Sequence, residues 1–117
     1  VTVDPGPYDL NLYRGDTYRW RYKLWQDESK TTPVDLTGAA VAAEFRDKPG
    51  GSKVMVMGVI VTLPNIVDVE ITKPMWEGAP NGGLWDLEAE WSPGDVRTFV
   101  GGRVSVTGDA TNSKMNK

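Results

Sequence analysis

Hydrophobic and polar residues alternate with a period of two along most of this chain. Over residues 17–26, Tyr18, Trp20, Tyr22 and Leu24 share one face, and Arg19, Arg21 and Lys23 share the other. Over residues 84–91, Trp85, Leu87, Ala89 and Trp91 alternate with Asp86, Glu88 and Glu90. Over residues 66–72, Val67, Val69 and Ile71 alternate with Asp68 and Glu70. Successive side chains of a strand point to opposite faces, so this pattern predicts antiparallel strands buried on one side. Weaker strands are expected at residues 8–12, 39–46, 53–63 and 96–107. The run Ala39–Ala43 has helix-forming composition. Val41, Ala43 and Phe45 nevertheless form an inward row beside Glu44 and Arg46, and a strand is expected there too.

Turn residues punctuate these runs about every 8–12 positions, the spacing of a β-sandwich or small barrel. They include Arg14-Gly15-Asp16, Pro49-Gly50-Gly51, Leu63-Pro64-Asn65 and Ser92-Pro93-Gly94-Asp95. The last should close a hairpin between residues 84–91 and 96–106. Gly101-Gly102 interrupts the second hairpin strand, which suggests a bulge. Residues 74–78 suit one helical turn between sheets. No repeat or internal boundary is visible. One domain over residues 1–111 is expected, followed by a polar, frayed tail at 112–117.

Composition narrows the chemistry. The 117 residues include neither cysteine nor histidine. Disulfides, Cys or His metal sites, haem ligation and His-dependent triads are therefore excluded. The net charge of −3 gives no nucleic-acid signature, and no apolar run is long enough to be a membrane-spanning helix. Neither a nucleic acid nor a membrane is expected as a partner. No cofactor is expected.

Paired carboxylates remain the only serious catalytic or calcium-binding candidates. Asp86, Glu88 and Glu90 recur at every second position of one strand, about 6.5–7 Å between neighbours. That spacing suits an inverting glycosidase or a calcium site. A solvated strand face gives the same pattern, and no catalytic or metal-binding residue is assigned. Arg14-Gly15-Asp16 spells an integrin-binding tripeptide, but it also reads as turn chemistry at the start of a strand.

Two features point to contact surfaces. Residues 14–23 carry a net charge of +3 and residues 65–95 carry −6. Such patches either pair within the fold or meet between subunits of a homo-oligomer. Trp20, Trp85 and Trp91 fall on inward rows. Trp25 and Trp76 do not, and they cap an open end of the fold or form an exposed platform. The candidate contact residues are Arg19, Arg21, Lys23 and Trp25 on one surface, with Trp76, Asp86, Glu88 and Glu90 on a second.

The order of motifs completes the picture. YRGDT (13–17), PVDLTG (33–38), AAVAAEFRDKPGG (39–51), VEITKPMWEG (69–78), GGLWDLEAEW (82–91) and SPGDVRTFVGGRVSVTGDAT (92–111) follow one another. The series resembles the small immunoglobulin-like domains of tailed-bacteriophage virion proteins. These include the amino-terminal domains of baseplate upper proteins and minor tail proteins of actinobacterial phages. The resemblance covers residues 7–111 and implies an all-β, immunoglobulin-like antiparallel sandwich of seven to eight strands. It further implies a non-enzymatic virion component, in the tail, baseplate or head decoration, whose partners are other virion proteins or further copies of itself. A carbohydrate-binding or host-adhesion module, with a host-surface glycan held by Trp25 and Trp76, is the alternative. In the family turn at Asp35-Leu36-Thr37-Gly38, a side-chain oxygen should bond backbone N–H groups. Leu36 should plug the core and Gly38 should take a conformation other residues avoid.

Overall fold

The alternating runs all become strands. The computed structural model describes residues 6–108. Its strands are β1 (Gly6–Pro7), β2 (Leu10–Tyr13), β3 (Tyr18–Lys23), β4 (Ala40–Arg46), β5 (Val54–Thr62), β6 (Ile66–Ile71), β7 (Gly82–Glu90) and β8 (Val96–Thr107). A 3-10 turn at Lys73–Trp76 links β6 to β7, close to the expected helical turn. β1 and β2 keep one register along β8, with Gly6 opposite Val100 and Leu10 opposite Val104. They act as one interrupted strand, leaving seven strand positions. The expected frayed tail at 112–117 lies outside the described residues.

The strands form one sheet in the order β1/β2–β8–β7–β4–β5–β6–β3. The fold is all-β as expected, but its strands join in one mixed sheet, which departs in two respects from the two separate antiparallel sheets expected. First, β5 bonds to both sides of the sheet. Residues 54–57 pair with β4, and residues 58–62 pair with β6. Gly58 sits at the change of partner, where an added Cβ would lie 2.7 Å from the Cγ of Glu70. Second, β1 and β2 run parallel to β8, which makes the sheet mixed. The result is a strongly curled half-barrel.

Curling brings the β3–β6 end against β4 and β7. Val67, Val69, Ile71, Phe45, Leu87 and Ala89 are fully buried between them. Trp85 stands at the centre, 3% exposed. Its ring stacks on Tyr22 at 6.3 Å and meets Trp20 edge-on at 6.0 Å. Its indole N–H donates to the carbonyl of Tyr8 at 2.7 Å.

The turn at Asp35-Leu36-Thr37-Gly38 behaves as expected and plugs one end of the curl. Leu36 is 2% exposed, and its N–H donates to the Pro64 carbonyl at 2.9 Å. An Asp35 carboxylate oxygen accepts from the N–H of Thr37 at 3.0 Å, and Gly38 has φ +77°. The Trp91 indole donates to the Asp35 carbonyl at 2.9 Å, locking the plug to the end of β7.

The hairpin of β7 and β8 forms as expected, closed by Asp95 N–H donating to the Ser92 carbonyl at 2.8 Å. Its bulge lies elsewhere than expected. Leu87 pairs with Val100 and Glu88 with Thr98, so Phe99 is the extra residue. Gly101 and Gly102 pair regularly with Asp86 and Trp85. Their glycines answer to crowding, because a Cβ on Gly102 would lie 2.4 Å from the Tyr8 carbonyl oxygen.

That crowding gives a direct test. Gly102→Ala must push the Tyr8 carbonyl off the Trp85 indole, at a cost of about 1–3 kcal/mol by urea denaturation. Unchanged stability would show that the N-terminal strand is not seated there.

Candidate functional site

The basic row of β3 is positioned by its register with β6. Arg19 lies opposite Glu70 and Arg21 opposite Asp68. An Arg19 Nη donates to Glu70 at 2.7 Å, while Arg21 gives a two-pronged contact to Asp68 at 2.9 and 3.2 Å. The bonds from Arg21 hold the Asp68 carboxyl below its usual range and raise the Arg21 guanidinium. Part of the +3 segment is thus paired with part of the −6 segment inside the fold. Lys23 lies opposite Ile66, exposed and outside these pairs.

The acidic row of β7 lies on a different part of the sheet. Asp86 faces Glu44 across the β4–β7 ladder, and Glu88 faces Ala42. Like charges directly opposite one another are destabilising. Arg46 offsets this only in part, through a 2.9 Å bond to Glu44. Burial raises the Asp86 carboxyl, with Glu44 adding to the rise and Arg46 opposing it. Burial also raises Glu88, helped by Asp86, Glu44 and Glu90. A groove of ≈ 370 Å³ runs beside this row, and its lining includes Glu44, Arg46, Lys48, Asp86 and Glu88. The described residues contain no group of three or more carboxylates placed to hold a metal ion.

The two tryptophans do not make a shared platform. Trp76 is 5% exposed, and its indole donates to the Asp16 carbonyl at 2.8 Å. Trp76, expected as a contact residue, is buried, and its ring helps close the end of the fold. Trp25 is half-buried and bridges to Pro33 beside the plug.

Arg14 supplies a site-like feature with a structural purpose. Its guanidinium sits 5.6 Å from the Trp76 ring centre. It donates to the carbonyls of Trp76, Ala79 and Pro80 at 3.0–3.3 Å and to Asn81 Oδ1 at 2.7 Å. The Arg14-Gly15-Asp16 tripeptide therefore has its cation engaged in tying the β2–β3 turn to the β6–β7 connection.

The residues that sequence reasoning missed are Glu44 and Arg46. Both stand on the outward row of β4, but their effect on Asp86 depends on β4 lying beside β7. No protein-family model matches the chain, and no curated protein is significantly similar to it.

Two outcomes follow from these contacts. Arg14→Met removes charge-assisted bonds to backbone carbonyls and should cost about 1–3 kcal/mol in chemical denaturation. A neutral result would separate the Arg14 clamp from stability. For Asp86, a carboxyl raised in the folded state means that the fold binds more protons than the unfolded chain. Its contribution to stability therefore falls as pH rises from the ordinary carboxylate range through the raised value. Asp86→Asn should melt higher than the parent near neutral pH, with the gain vanishing on acidification to about pH 4. A constant or reversed difference in melting temperature would refute that assignment.

Proposed function

We propose that this chain is a non-enzymatic structural component of a bacteriophage virion, working through static protein–protein contacts. Its place is the tail, the baseplate or the head surface. The observation that carries the reading is the neighbour pattern of the strands, taken with the motif series of residues 7–111. Counting β1/β2 as the first strand, the second, fifth and fourth strands are neighbours (β3, β6, β5). So are the third, sixth and seventh (β4, β7, β8). These are the B-E-D and C-F-G groupings of an immunoglobulin sandwich. On this reading the domain is a variant of that sandwich. Its first strand has moved to the edge beside β8, and its fourth strand keeps a bond to β4.

The surface supports work by contact. Tyr13, Val56, Ile60 and Leu63 are each more than half exposed. They lie on strands or at strand ends, where a neighbouring subunit can cover them. Self-association into a symmetric oligomer belongs to the same proposal. The burial of Trp76 removes half of the two-tryptophan platform on which a carbohydrate-binding role rested.

The test is composition of the particle. Phage particles produced from a genome that encodes this chain should retain it through density-gradient purification, at a fixed copy number by quantitative mass spectrometry. Antibody labelling should then place it at one station on the particle. A chain made in infected cells but absent from purified particles would overturn the proposal.

A further inference from the structure

β3 is the last strand of the sheet, bonded to β6 on one side. Among the described residues, no backbone bond reaches its other side. The direction of its backbone groups follows from one contact. The Leu24 N–H donates to the Asn65 carbonyl at 2.9 Å. In an antiparallel ladder, bonding direction alternates along the strand. The N–H and C=O groups of Tyr18, Trp20 and Tyr22 therefore face β6, and those of Arg19, Arg21 and Lys23 face outward.

Side chains on this strand repeat the same division. Arg19 and Arg21 remain 69% and 61% exposed despite their ion pairs, and Lys23 is exposed as well. Tyr18, Trp20 and Tyr22 on the other face are only half-buried, since no strand lies beyond them. An unpaired backbone row, a row of cations and a row of half-covered aromatics thus coincide on one edge. Partner strands add to such edges through main-chain bonds, with alternate side chains giving selectivity.

β6 shows what β3 accepts. It sets Glu70 against Arg19, Val69 against Trp20, Asp68 against Arg21 and Val67 against Tyr22. We infer that the outer edge of β3 receives an extended segment of a partner protein in which acidic and apolar residues alternate. Pairing with a second copy through β3 itself would set cations against cations, which is unfavourable. The opposite end of the sheet, β1/β2, brings one carboxylate, Asp9, already accepting from the Arg103 N–H at 3.0 Å. This inference rests on the contact-making reading above, and its test needs no virion.

The probe is a capped synthetic peptide alternating valine with aspartate or glutamate, compared with a counterpart carrying lysine at each acidic position. The full chain should bind the acidic peptide about tenfold more tightly. Hydrogen exchange should slow at the amides of Arg19, Arg21 and Lys23. Lys23→Pro removes an outward N–H and no bond to β6, as edge strands tolerate. It should weaken binding about tenfold with the unfolding midpoint unchanged. Should that variant misfold, Lys23→Glu keeps the backbone and should still lose acidic selectivity. Equal affinity for both peptides, binding of neither, or protection on another strand would overturn the inference. Sedimentation showing self-pairing through the same amides would give the edge to a second copy and overturn it too. A chain found in purified particles that ignores the peptide would lose this edge while keeping its structural role.

Discussion

The curl of the sheet depends on Trp85. From β7, one ring touches the two distant parts of the chain, β3 and the segment around Tyr8, that must meet it for a long sheet to close on itself. It stacks on Tyr22 from the far end, meets Trp20 beside it, and bonds the Tyr8 carbonyl of the first strand. Aromatic contacts of this type add about 0.5–1.5 kcal/mol each beyond area burial, so the cluster matters on the scale of a small domain's stability. Tyr22 reports the same enclosure, since burial pushes its hydroxyl up to about 12. Gly102 completes the arrangement by leaving room for the Tyr8 backbone.

The strands were legible because alternation is a local property. Tyr18–Lys23 and Trp85–Ala89 display their inward and outward rows without reference to the rest of the chain. Even Ala39–Ala43 declared itself through Val41, Ala43 and Phe45. Partnership was less legible. Nothing in residues 54–62 announces that β5 changes neighbours midway, because its apolar residues suit either side. The parallel placement of β1/β2 on β8 was hidden for the same reason. Gly101-Gly102 looked like a bulge, yet a glycine needed for close approach leaves the same mark as a glycine needed for a bend.

The candidate surfaces divide along the same line. The charged rows were readable, as was the possibility that they neutralise one another within the fold. Which pairs do so was not. Arg19 and Arg21 find Glu70 and Asp68 in the adjacent strand, while the β7 carboxylates meet Glu44 and stay crowded. Trp76 illustrates the remaining limit. A tryptophan in a connection is buried or bare according to what the neighbouring turn brings, and here Arg14 and the Asp16 carbonyl enclose it.

The parallel seating of β2 on β8 also decides how the domain carries mechanical load. Residue 6 lies beside residue 100, while residue 107 lies beside residue 13. Along β8 the points where the chain joins and leaves this pair are about 23 Å apart. Tension applied outward through those points pulls the two strands past each other along their length. Every bond between them is then strained together, instead of one at a time as when a hairpin is peeled from its end. A domain wired in this way resists stretching as a rivet resists shear.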